Sequence, residues 1–117
     1  MKKVVVVDDN KSFAELERML IETYNDAKCM VFVNSNEAYK YMARERNIDI
    51  LVTDYEMPCM NGFELASKIL AQNLTVRIIV VSGHDEVYLQ SVKKQYNLGD
   101  KIEVICKSNI SFLKSLV

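Results

Sequence analysis

The sequence of 117 residues holds one proline and three glycines, and no stretch of it is rich in either. Repeats, low-complexity tracts and linkers are therefore absent from the pattern. Cysteine is scarce too. Cys29, Cys59 and Cys106 are odd in number and lack close metal spacing, which excludes a disulfide framework and fits free thiols in a reducing cytoplasm. No charge sign dominates: 15 Lys plus Arg stand against 16 Asp plus Glu, a formal net charge of −1. A nucleic-acid module carries a basic excess or stripe, so direct nucleic-acid binding is not expected. Long apolar runs are missing as well. None approaches the ~20 residues of a membrane span. The run of four valines behind Lys2 and Lys3 is shorter than the ~7–15 residues of a signal peptide's apolar region.

What is there is a chain half apolar and about a quarter charged, the balance of a folded domain rather than a disordered one. At this length one domain is expected, burying roughly two thirds of its unfolded surface without disulfide or metal. Five runs rich in Val and Ile read as strands: Lys3–Val7, Lys28–Val33, Ile48–Thr53, Val76–Val81 and Ile102–Cys106. Three are almost continuously apolar, as strands covered on both faces of a parallel sheet are.

Amphipathic segments alternate with them. Phe13, Leu16, Leu20 and Tyr24 follow one helical face, as do Ala38, Tyr41 and Met42, and then Ala66, Ile69 and Leu70. Asn34 with Glu37 forms a capping pair. Asp85–Tyr96 is a weaker helix with Val92 and Tyr96 as core candidates. Ser108–Leu116 is a short final one with Ile110 and Leu113 inward and Phe112 and Leu116 partly exposed. Five strand–helix alternations predict an α/β fold, a doubly wound five-stranded parallel sheet. Ligands of such sheets bind beyond the carboxyl ends of the strands.

Those ends carry chemistry. Val4–Val7 meets Asp8 and Asp9, Ile50–Thr53 meets Asp54, Ile78–Val81 meets Ser82, and Val104–Cys106 meets Lys107. Three clustered carboxylates repel one another and need a positive partner. Oxygen-only ligands favour Mg²⁺, with Mn²⁺ as substitute, over zinc, and Lys107 adds a further charge. A carboxylate beside such a cation and a lysine is a competent nucleophile toward a phosphoryl group.

The set Asp8-Asp9, Asp54, Ser82 and Lys107, with Asp54-Tyr55-Glu56-Met57-Pro58-Cys59-Met60-Asn61-Gly62, resembles the receiver domain of two-component response regulators over essentially the whole chain. The resemblance implies a flavodoxin-like (βα)5 fold with strand order 2-1-3-4-5. It implies Asp54 as phospho-acceptor from a histidine kinase or phosphotransfer protein, with Ser82 and Lys107 contacting the phosphoryl group. Mg²⁺ would lie on Asp9, Asp8, Asp54 and the backbone carbonyl of Glu56. The domain is expected to be a switch rather than an enzyme, with autophosphatase activity at most. It is expected to be cytoplasmic, and monomeric or dimerising on phosphorylation. Two positions depart from the family pattern. Ser108 follows Lys107 where Pro is usual, and Val104 stands where an aromatic switch residue is usual.

Residues 1–117 are expected to form a single stand-alone receiver without an output domain. A downstream protein effector would dock on the face built from Asp85–Asn97, the fifth strand and Ser108–Val117. A receiver cut from a longer regulator is the alternative. Two other classes compete: a degenerate receiver acting as a phosphorylation-independent interaction module, and a Mg²⁺-dependent aspartyl phosphohydrolase. A flavin site is weaker, since no Gly-rich phosphate loop follows the first strand.

Taken singly, Asp8 or Asp9 serves equally as a helix cap, Ser82 as a turn or cap residue, and Lys107 as a solvated lysine. Glu56 and His84, two residues past Asp54 and Ser82, are expected to tune dephosphorylation or to be plain exposed loop side chains. Cys59, Cys106, Met57 and Met60 read as packing.

Overall fold

The computed structural model describes residues 1–72 and 74–117. The apolar runs form strands β1 (Lys2–Val7), β2 (Ala27–Phe32), β3 (Ile50–Asp54), β4 (Arg77–Ser82) and β5 (Ile102–Cys106). They pair in parallel in the order β2-β1-β3-β4-β5, as the resemblance implies. Helices α1 (Lys11–Tyr24), α2 (Ser35–Glu45), α3 (Gly62–Ala71) and α4 (Glu86–Gln95) cover both faces, with a final 3₁₀ segment, Lys107–Ser115. Strand ends differ from expectation by a residue or two, the usual uncertainty of element boundaries.

Alternate residues of the central strands feed two cores. Val5, Val7, Leu51, Ile78 and Val80 face α2, α3 and α4, around Met42, Phe63, Ile69 and Leu89. Val4, Val6, Ile50, Val52, Ile79 and Val81 face α1 and the C-terminal segment, around Ala14, Ile21 and Leu113. Burial on both faces is why these strands read as unbroken apolar runs. Each α-helix starts on an amide or carboxylate cap: Asn10, Asn34, Asn61 and Asp85 each accept the N–H three residues on.

The register positions the site. Val7 lies opposite Thr53, so Asp8 comes level with Asp54. Asp54 lies opposite Val81, and Ser82 opposite Cys106. Asp8 and Asp54 thus stand level, and Ser82 and then Lys107 each lie one step further along the same edge.

Two expectations about packing are corrected. In α1 the buried stripe is Ala14, Glu17 and Ile21, while Leu16 and Tyr24 are exposed. The inward stripe contains a small residue and a charged one, so a count of large apolar residues finds the adjacent face. In the final segment Leu116 is buried, not exposed. The reason is geometric: a 3₁₀ helix has three residues per turn, which brings Leu116 into line with Leu113.

Glu17 is the anomaly. It is 1% exposed, and neither carboxyl oxygen has a hydrogen-bond partner among the described residues. Burial, reinforced by the nearby negative charges of Asp8 and Asp54, pushes its carboxyl up to about 9. The folded protein then keeps a proton that the unfolded chain releases above its ordinary value of 4.5. Stability should therefore fall as pH rises from about 4.5 to about 9. Glu17→Leu should remove that slope, raising the melting temperature at pH 8 by several degrees more than at pH 4. Thermal unfolding across pH checks this; parallel curves for the two proteins would contradict it.

Candidate functional site

Asp8 ends β1 on its inner side and is 1% exposed, whereas Asp9 faces solvent. Asp8 does not cap α1; Asn10 does. Asp8 Oδ1 instead accepts the Asn10 N–H at 2.9 Å, which fixes the carboxylate plane. Its Oδ2 is buried and has no hydrogen-bond partner among the described residues. Asp54 closes β3, also buried. Asp8, Asp9 and Asp54 each offer a carboxylate oxygen, and these oxygens all lie within 4.8 Å of one another.

The electrostatics follow from that crowding. Burial, then the charge of Asp8, pushes the Asp54 carboxyl up to about 6, with Lys107 opposing. Burial also holds Asp8 above its ordinary range, against the Asn10 N–H and Lys107. Lys107 Nζ lies 3.5 Å from Asp54 Oδ1 and 3.8 Å from Asp8 Oδ2, and 4.4 Å from the centre of the Phe13 ring. The lysine is thus an ion-pair partner of both acids rather than a solvated one. Its distances exceed the ~2.7–3.2 Å of a hydrogen bond, so it balances the acids without closing the cleft. An orphaned buried Oδ2 and three convergent carboxylates, with no sulfur or imidazole in the cluster among the described residues, fit a hard divalent cation.

Ser82 ends β4, buried, and its Oγ accepts the His84 N–H at 3.2 Å; Asp85, not Ser82, caps α4. Beyond Asp54 the chain folds back tightly. Gly62 N–H donates to the Tyr55 carbonyl at 2.9 Å, and a Cβ on Gly62 would stand 2.4 Å from the Asp54 carbonyl oxygen. Only glycine permits that approach. Glu56 and His84 are both exposed, yet they are not independent: the Glu56 carboxylate binds the His84 imidazole, joining the loops after β3 and β4. The Lys107–Ser108 peptide is trans, since no cis bond occurs among the described residues. Ser108 Oγ donates to Cys106 Sγ at 3.2 Å, which holds that thiol below its usual range.

Asp8, Asp9, Asp54 and Lys107 therefore converge, and the register places Ser82 at the same sheet edge. What the sequence reading missed is Glu17 behind the acids and the packing of Tyr55 with the aromatic rings around it. Tyr88, among those rings, is with Tyr96 a substitute that the sequence offers for the aromatic absent at Val104. Tyr55 packs edge-on against Phe63, His84 and Tyr88. The one sequence signal for Glu17 was its place three residues after Ala14 and four before Ile21.

A family model described as "Response regulator receiver domain" matches residues 4–104. The transcriptional regulatory protein NatR of Bacillus subtilis is 36% identical over 85 residues, 72% of this chain and 36% of NatR. A protein-glutamate methylesterase/protein-glutamine glutaminase of Burkholderia thailandensis is 28% identical over 116 residues, covering 99% of this chain and 32% of that protein. The chain thus spans about a third of the length of these relatives. In fold it is similar to the chemotaxis protein CheY4 of Vibrio cholerae, with TM-score 0.83 and 20% identity over 99% of this chain and 96% of that one. It is also similar to the receiver domain of the Francisella response regulator 1452, with TM-score 0.76 and 22% identity over 99% and 98%. With the acid cluster, its lysine and the strand order all in place, the chain belongs to the response regulator receiver domain family of two-component signalling proteins.

Proposed function

We propose that Asp54 is a phospho-acceptor, loaded from a histidine kinase or phosphotransfer protein, and that the phosphorylated form signals to a protein effector. The observation that carries this reading is the convergence of three carboxylates with Lys107 at one sheet edge. Such an acidic triad is typical of the Mg²⁺ site of receivers. Asp8, Asp9, Asp54 and the Glu56 backbone carbonyl would hold the ion. Once bound, it would neutralise charge on the phosphoryl oxygens.

The chain's own residues do the rest. An Asp54 carboxylate oxygen attacks phosphorus in line, an acyl–phosphate O–P bond forms, and the donor's N–P bond breaks. The electron pair goes to the nitrogen of the leaving imidazole, which takes a proton from solvent. Lys107, 3.5 Å from Asp54, pairs with a phosphoryl oxygen, and the Ser82 hydroxyl donates to another. Catalysis here is positioning and electrostatics, which suits a switch better than an enzyme with turnover.

The effector face proposed is the one of α4, β5 and the final segment, where a groove of about 530 Å³ is lined by Gln90, Lys93, Ile105 and Phe112. None of the helices among the described residues is long and apolar enough to cross a membrane. The reading applies equally to a receiver acting alone and to one within a longer regulator. A second reading, a phosphorylation-independent interaction module, is favoured by one observation: Val104 is aliphatic and buried where receivers carry a switch aromatic.

Incubation with acetyl phosphate and Mg²⁺ should add one phosphoryl group by mass spectrometry. Asp54→Asn or a chelator should abolish the addition; an unchanged mass in the native protein would leave the module reading standing. Glu56→Ala frees His84 and unties the loops after β3 and β4, so the acyl-phosphate lifetime should shorten several-fold. An unchanged lifetime would show that the Glu56–His84 pair does not govern hydrolysis.

A further inference from the structure

A receiver must convert an event at Asp54 into a change on its surface, and β5 cannot supply the usual moving part here. Val104 is buried, and its branched Cβ confines χ1 to few states. Aromatic side chains are concentrated elsewhere. Tyr55 directly follows Asp54. Its ring centre lies 6.1 Å from that of His84 and 6.3 Å from that of Tyr88, each edge-on. The His84 and Tyr88 rings are closer, at 4.3 Å. Tyr88 beside Tyr55, together with burial, pushes the Tyr55 phenol up to about 12.

His84 joins this group to the chemistry. Its backbone N–H donates to Ser82 Oγ at 3.2 Å, the hydroxyl that contacts the phosphoryl group in the reading above. Its imidazole is held by Glu56. A Ser82 hydroxyl drawn toward a phosphoryl oxygen therefore disturbs the turn that carries His84, and with it the His84–Tyr88 packing.

The helix that receives this push is lightly anchored. Of ten α4 residues only Leu89 and Val92 are buried. Its two ends are tied to the chain after Asp54: the first by Tyr88 against Tyr55, the second by Tyr96 against the start of α3. The Tyr96 ring stacks on Phe63 at 5.7 Å, and its hydroxyl accepts from Asn61 Nδ2 at 3.0 Å. Few buried contacts make an element easy to shift. Tyr88 is 41% exposed and the adjoining Val87 81%, so a shift at this end alters an accessible apolar step.

We propose that Tyr88, through His84, is the reporter of phosphorylation in this chain, exchanging its packing on His84 and Tyr55 when Ser82 engages the phosphoryl group. The inference rests on Asp54 being the acceptor. It is tested by NMR on protein with labelled tyrosine rings and backbone, using beryllofluoride with Mg²⁺ as the acyl-phosphate mimic. Tyr88→Phe and Tyr55→Phe assign the ring signals. On loading, the Tyr88 and Tyr55 ring signals should move while Tyr24, Tyr39 and Tyr41, outside the cluster, stay fixed. In Tyr88→Leu, a change at an exposed site that leaves the fold intact by melting temperature, loading should still shift the Ser82 amide. It should no longer shift the α4 amides as in the native protein. Movement of Asp54 and Ser82 amides with a static Tyr88 ring overturns the relay alone. Absence of any shift on loading overturns the acceptor reading and the relay with it.

Discussion

Mutual repulsion among Asp8, Asp9 and Asp54 is the constraint around which the rest of the molecule is arranged. Like charges this close destabilise a fold unless something offsets them, and burial of two of the three makes the conflict sharper. Lys107 offsets part of it from 3.5 and 3.8 Å. What remains unbalanced is a demand for positive charge at an acidic triad typical of the Mg²⁺ site of receivers. Burial first, and the neighbouring acids after it, raises the Asp54 and Asp8 carboxyls. A surface with the same residues spread apart would be more stable and chemically inert.

A parallel sheet is what makes such crowding affordable. β1 and β3 are central, covered on both faces, and rich in Val and Ile, so their backbone positions are over-determined. Their ends can then carry strain that a loop would relax. The same logic explains Gly62, where the return of the chain under Asp54 leaves no room for a Cβ.

Much of this was legible from residue order. Unbroken Val and Ile runs signalled strands covered on both faces, and the rule that ligands meet the carboxyl ends of strands singled out Asp8, Asp9, Asp54, Ser82 and Lys107. What stayed hidden shares a physical cause. Glu17 was invisible because a periodicity count scores apolar residues and α1 buries a carboxyl. Leu116 was misplaced because the final segment winds with three residues per turn instead of 3.6. The ties from Tyr55, Phe63 and Asn61 to α4 join residues about 30 positions apart, a separation on which helical and strand periods are silent. Glu56 and His84 were singled out, but only the fold shows that they bind each other.

Backbone NMR during a Mg²⁺ titration of the native protein tests the central claim most directly. The account predicts saturable shifts concentrated at Asp8–Asn10 and Asp54–Glu56, with a rise in melting temperature as the cation relieves the repulsion. Uniform weak shifts spread over surface acids, with no stabilisation, would contradict it.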